Sequence, residues 1–114
     1  MKTIEWAAGL FEGEGCISIQ DINKNTGKTY WRLGLVMTDR DVVEQFFEWA
    51  GCGAIYTYAP GSQASRKDHW KTQYLWKCGK ARDVRMILSK LLPHLGTRRA
   101  HKALDCLDSI ELNN

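Results

Sequence analysis

The sequence predicts an α+β fold of order α-ββ-α-ββ-α-α, a single domain over residues 1–114 with helices on one face of a four-stranded antiparallel sheet. Three observations lead there. Four short stretches alternate apolar and polar residues as strands do, and four longer ones repeat apolar residues as helices do. Gly, Pro, Asn or Asp stand at the joints between them. The αββ unit occurs twice in succession, with too little likeness between its copies to be a sequence repeat.

Thr3 caps a first helix whose opening turn carries Glu5, where a carboxylate suits the helix dipole. That helix passes through Trp6, Leu10 and Phe11 and is expected to stop near Gly13 or Gly15. In the following CISIQ, Ile17 and Ile19 point one way and Ser18 and Gln20 the other, as in a half-buried strand. INKNTGKT has the composition of a turn. A second strand, YWRLGLVM, sets Trp31, Leu33 and Leu35 on one face and Tyr30, Arg32 and Gly34 on the other. Thr38 and Asp39 open a helix, DVVEQFFEWA, which Gly51 closes. AIYTYA is a third strand, and PGSQASRKDH is a polar loop. The fourth strand, KTQYLWKC, turns Tyr74, Trp76 and Cys78 one way and Gln73, Leu75 and Lys77 the other. ARDVRMILSKLL and TRRAHKALDCLDSIEL are two helices parted by the break at residues 93–96.

At 44% hydrophobic and 25% charged residues, with two prolines, the composition excludes disorder and low complexity. Apolar runs are too short to span a bilayer and no secretory cleavage pattern opens the chain, so a soluble intracellular protein without membrane partners is expected. Cys16, Cys52, Cys78 and Cys106 are scattered without a CxxC pair, and His69, His94 and His101 lie far from most of them. Reduced, mostly buried thiols are expected rather than a zinc centre.

The net charge of +3 leans only slightly towards nucleic acid, but its distribution says more. From Ser65 to Arg82, six cations (Arg66, Lys67, Lys71, Lys77, Lys80 and Arg82) face one acid, Asp68, whereas Asp41, Glu44 and Glu48 gather on a helix. The sheet face turned away from the helices would carry Ser18, Gln20, Tyr30, Arg32, Tyr56, Tyr58, Gln73 and Lys77. Such donors, acceptors and aromatics suit phosphates and base edges, and equally an ordinary solvated sheet.

The stretch AAGLFEGEG, residues 7–15, sets two glutamates among three glycines. Gly9 and Gly13 share a helix face beside Ala8 and Glu12, and small residues at that spacing let a second helix approach closely. Two copies paired through this helix would bring two Glu14 carboxylates together at its base. Like charges so held repel unless a divalent cation lies between them, and hard cations such as Mg²⁺ favour these oxygens.

The same nine residues resemble the signature of the LAGLIDADG homing endonucleases. Ala8, Gly9, Leu10 and Gly15 match by identity, Glu12 and Glu14 stand at its two acids, and Gly13 replaces its second alanine. The strand that follows, the element order and the later LLPHLGTRRAHKA extend the resemblance over most of the chain. It implies a homodimer with crossed motif helices and a saddle-shaped sheet along the major groove of double-stranded DNA. It further implies hydrolysis of both strands of a long pseudo-palindromic target, leaving 3′ overhangs. Mg²⁺ would serve, or another divalent cation such as Mn²⁺, with Ca²⁺ supporting binding without cleavage.

Carried across by position, the resemblance makes Glu14 the catalytic metal ligand, joined by the Gly13 carbonyl, with Ala8, Gly9, Glu12 and Gly13 at the dimer interface. The family often carries a lysine after a proline-containing stretch like LLPHL; here that position is Arg98, followed by Arg99. An arginine can stabilise phosphorane-like charge but cannot readily deprotonate water. Arg99, Lys24, Lys28, Arg66 and Lys67 join the sheet-face residues as expected DNA contacts. The glutamine that relatives often place after the second strand is missing; Met37 and Thr38 stand there. The same fold also serves intron RNA maturases and non-cleaving DNA-binding proteins, and these remain alternatives.

Overall fold

The structure, a computed structural model, describes residues 1–59 and 71–113. Helix α1 (Ile4–Glu14) starts where expected, with the Thr3 hydroxyl accepting the Trp6 N–H at 3.1 Å. Strands β1 (Gly15–Ile22) and β2 (Thr29–Met37) form an antiparallel hairpin. Its turn is held by the Asn23 side chain, which accepts the N–H groups of Asn25 and Thr26, and by Gly27 at φ +73°. Helix α2 (Arg40–Ala50) begins after Asp39, whose carbonyl accepts the Val43 N–H and whose side chain makes no cap bond. It ends at Gly51 in the left-handed conformation, φ +73°.

Strands β3 (Ala54–Tyr58) and β4 (Gln73–Cys78) pair with each other, both slightly shorter than their sequence patterns suggest. The loop expected between them lies outside the described residues, as do its Arg66 and Lys67. Helix α3 (Ala81–Leu91) runs into a 3₁₀ turn, Leu92–His94, at Pro93. Helix α4 (Thr97–Asn113) follows, and no described helix is long and apolar enough to cross a membrane.

The sheet order is β1-β2-β4-β3, antiparallel throughout, so the two hairpins meet through β2 and β4. Strand alternation then decides the faces. Leu33, Leu35, Trp76 and Cys78 turn into the helices and are almost fully buried, together with Phe11, Phe46, Ile87, Leu88 and Cys106. Phe46 is the hub of this core, with ring centroids 6.2 Å from Phe11, 5.5 Å from Trp49 and 4.8 Å from Trp76. Each such side chain contributes about 1.5–3 kcal/mol by leaving water.

Ile19 departs from the expected pattern: it is 48% exposed, although its neighbour Ile17 is buried. It still pairs with Trp31, but the register slips between Ile19 and Asp21, where Gln20 is the extra residue of a bulge. At one edge of the sheet, β1 leaves its outer half exposed.

Candidate nucleic-acid and metal site

Helix α1 ends at Glu14 and strand β1 begins at the next residue. A joint this abrupt requires glycine. A Cβ on Gly15 would stand 2.4 Å from Phe11 Cδ1 and 2.6 Å from the Phe11 carbonyl oxygen. The two acids of the motif lie two positions apart and so leave the helix in different directions.

Glu12 turns towards α4. Its Oε1 accepts the Gly96 backbone N–H, and its Oε2 accepts Arg99 Nε at 2.8 Å. Gly96 makes room for it, since a Cβ there would lie 2.5 Å from Glu12 Oε1. Arg99 also donates to two main-chain oxygens, Nε to the Glu12 carbonyl at 3.0 Å and Nη1 to the Gly15 carbonyl at 2.6 Å. Its guanidinium lies 5.8 Å from the centre of the Phe11 ring. A cation therefore sits at the carbonyl end of α1, where the helix dipole favours it, and binds α1, β1 and α4 together.

This differs from the expectation for Arg99, which was a phosphate contact. Its side chain is 21% exposed and its donors are engaged inside the subunit. Glu12 and Ala8 are likewise engaged there rather than on an open helix face, Ala8 being 2% exposed within the core. Of the four residues expected at a dimer interface, Gly9 and Gly13 are the most open. Both are exposed, and a Cβ on either would meet nothing within 4 Å.

Glu14 is also exposed, and no described residue forms a hydrogen bond or ion pair with it. The Gly13 carbonyl lies past the last bond within the helix, from the Gly15 N–H to the Phe11 oxygen. An exposed carboxylate beside the Gly13 carbonyl, at the negative end of a helix, is an oxygen donor set suited to a hard divalent cation. The residues fit the ion that the resemblance implies.

Beside Glu14 lies a recess of about 310 Å³ lined by Gly15, Cys16, Ile17, Arg98, Arg99 and Lys102. Arg98 and Lys102 are exposed, one helical turn apart on α4, and bring positive charge to the start of β1. Lys102 was not among the residues expected from the sequence, although its spacing from Arg98 was legible; its ammonium stands 5.8 Å from the Trp31 ring centre.

The uncovered face of the sheet carries the residues expected of it. Strand pairing sets Ser18 opposite Arg32, Tyr56 opposite Leu75 and Tyr58 opposite Gln73, all on the side away from the core. Lys77 Nζ lies 5.0 Å from the Tyr56 ring centre and Lys28 Nζ 5.9 Å from that of Tyr30. Lys24 is exposed in the hairpin turn, and a Cβ on Gly79 would lie 3.2 Å from Gln20 Oε1. The bulge also brings Asp21 opposite Tyr30, an acid on this face that strict alternation did not anticipate.

No protein-family model matches this sequence, and no curated protein matches it. Solved structures match its fold. The homing endonuclease I-CvuI, in complex with its target in the presence of calcium, shares 18% identity at a TM-score of 0.72, over 95% of this chain and 65% of that one. The homing endonuclease I-TnaI shares 20% identity at a TM-score of 0.72, over 97% of this chain and 73% of that one. The LAGLIDADG meganuclease I-AabMI, bound to uncleaved DNA, shares 15% identity at a TM-score of 0.72, over 97% of this chain and 37% of that one. The chain has the fold of the LAGLIDADG homing endonucleases and spans just under two thirds of the length of I-CvuI.

Proposed function

We propose that a chain of this fold with a free Glu14 acts as a site-specific, divalent-metal-dependent DNA endonuclease that works as a homodimer. The observation that carries this reading is the division of labour between the two acids. Glu12 is bound by Gly96 and Arg99, while Glu14 has no partner among the described residues.

The open strip of Gly9 and Gly13 lies on the same helix, just before Glu14. A second copy docking there about a two-fold axis brings two Glu14 carboxylates to one place, one for each DNA strand. The uncovered sheet face, with Arg32, Lys77, Tyr30 and Tyr56, supplies cations for phosphates and planar groups for base edges.

Glu14 and the Gly13 carbonyl would hold the cation, of the Mg²⁺ or Mn²⁺ type. When bound, such an ion neutralises charge on the scissile phosphate and activates water. Arg98 would contact that phosphate and stabilise its developing charge, remaining protonated throughout. Arg99, by contrast, holds the helix end that presents Glu14.

The test uses wild-type protein and Glu14→Gln on a randomised library of two-fold-symmetric duplexes, bound in Ca²⁺ and then given Mg²⁺. Wild type should enrich one sequence and cut it with 3′ overhangs, while Glu14→Gln binds the same sequence and cuts at least about a hundredfold more slowly. Cutting by the variant at the wild-type rate overturns the site assignment. Enrichment without cutting by wild type indicates a non-cleaving DNA-binding protein, and no enrichment directs the search to intron RNA.

A further inference from the structure

Two turns that are far apart in sequence meet on the helix side of the sheet. Cys52 lies in the turn between α2 and β3, Cys78 ends β4, and Asp83 sits in the first turn of α3. One ligand atom from each, two Sγ and a carboxylate oxygen, all lie within 4.8 Å of one another. Scattered in the sequence, the three showed no metal-binding spacing.

The cluster is held by bonds that do not involve its own ligand atoms. Trp76 Nε1 donates to the Cys52 carbonyl at 2.9 Å, fixing the turn against the core. Strand pairing sets Cys78 opposite Leu33. Cys78 is 2% exposed, Cys52 is half-buried, and the Asp83 side chain is 17% exposed, so an entry path remains at Cys52 and Asp83.

The cations nearby are peripheral: Arg82 Nε lies 3.8 Å from Asp83 Oδ1, and Lys90 acts on Cys52 from a distance. Two sulfurs and a carboxylate oxygen thus converge within reach of a single thiophilic cation.

Tetrahedral zinc, with Zn–S of about 2.3 Å and Zn–O of about 2.0–2.2 Å, sets its ligand atoms about 3.5–3.8 Å apart. The observed spread closes to that with shifts of about 1 Å. We propose that Cys52, Cys78 and Asp83 form a three-ligand site for a soft divalent cation of the zinc class, its fourth position left to water. Binding forms two metal–sulfur bonds and one metal–oxygen bond and releases both thiol protons to solvent, with no change of oxidation state. The ion would join the α2–β3 turn to the junction of β4 and α3. It is distinct from the oxygen-only site at Glu14, which suits a hard cation.

The experiment titrates the reduced, full chain with Cd²⁺ and follows the ultraviolet thiolate-to-cadmium absorption. Cys16→Ser serves as the background, which removes the exposed thiol. One equivalent should saturate the band, with release of about two protons and a rise in Tm. Millimolar Mg²⁺ should not compete. Cys52→Ser should abolish the band, and Asp83→Asn, close in shape and still folded, should weaken Cd²⁺ binding at least about tenfold. No saturable band in the folded protein, a band retained in Cys52→Ser, or a Cys52–Cys78 disulfide in the reduced preparation overturns the proposal.

Discussion

Replacing Arg99 by Met removes the guanidinium but keeps an apolar stem against Phe11. Three hydrogen bonds vanish, to the Glu12 carboxylate and to the carbonyls of Glu12 and Gly15. Bonds to charged groups are worth about 1.5–3 kcal/mol each when buried. Glu12 is 38% exposed, however, so water takes over part of its solvation, and its bond to the Gly96 N–H survives. The net loss should be about 2–3 kcal/mol. For 114 residues, unfolding entropy near 2.1 cal/mol/K per residue amounts to about 0.24 kcal/mol/K. The midpoint should therefore fall by about 8–12 °C.

The assay is thermal unfolding by circular dichroism at one fixed protein concentration, with Glu12→Gln and the double variant completing the cycle. The double variant should be less destabilised than the sum of the single ones by about 1–2 kcal/mol. Glu14→Gln, at an exposed site without a described partner, should stay within about 2 °C of wild type. A fall below about 2 °C for Arg99→Met, or strict additivity with Glu12→Gln, would refute the claim that this contact holds the end of α1.

Three further outcomes are expected. Gly9→Leu should leave the subunit folded, because its Cβ meets nothing within 4 Å, yet convert a dimer to monomers by light scattering; an unchanged mass would remove the helix strip as the interface. Lys77→Ala should reduce the slope of log affinity for DNA against log salt by about one, and an unaltered slope would take Lys77 off the phosphate path. In thiol labelling at pH 8, Cys16 should react at once, while Cys78 and Cys106, both pushed up to about 12 by burial, should wait for unfolding. Labelling of all four cysteines at one rate in native buffer would contradict the burial described.

Much of the architecture was legible because it follows from local rules. Alternation identified which residues of β2 and β4 turn inward, and pairing of Leu33 with Cys78 and Leu35 with Trp76 agrees with it. The Thr3 cap and the Gly51 stop were readable because orphan N–H groups and a left-handed residue have few chemical solutions. The pattern failed just after Ile19, where one extra residue, Gln20, in an edge strand shifts the register and sets Asp21 opposite Tyr30 without any marker in composition.

The sequence alone determined the order of elements, the two faces of each strand and the presence of two acids among glycines at the end of a helix. It could not say which acid was free. That depended on Arg99 and Gly96, more than eighty residues away, reaching Glu12 rather than Glu14. Nor could spacing show that Cys52, Cys78 and Asp83 converge, since strand pairing and the packing of α3 bring them together. Local periodicity is a property of neighbouring residues; the pairing of charges across a core depends on which elements pack, and only the tertiary structure decides that.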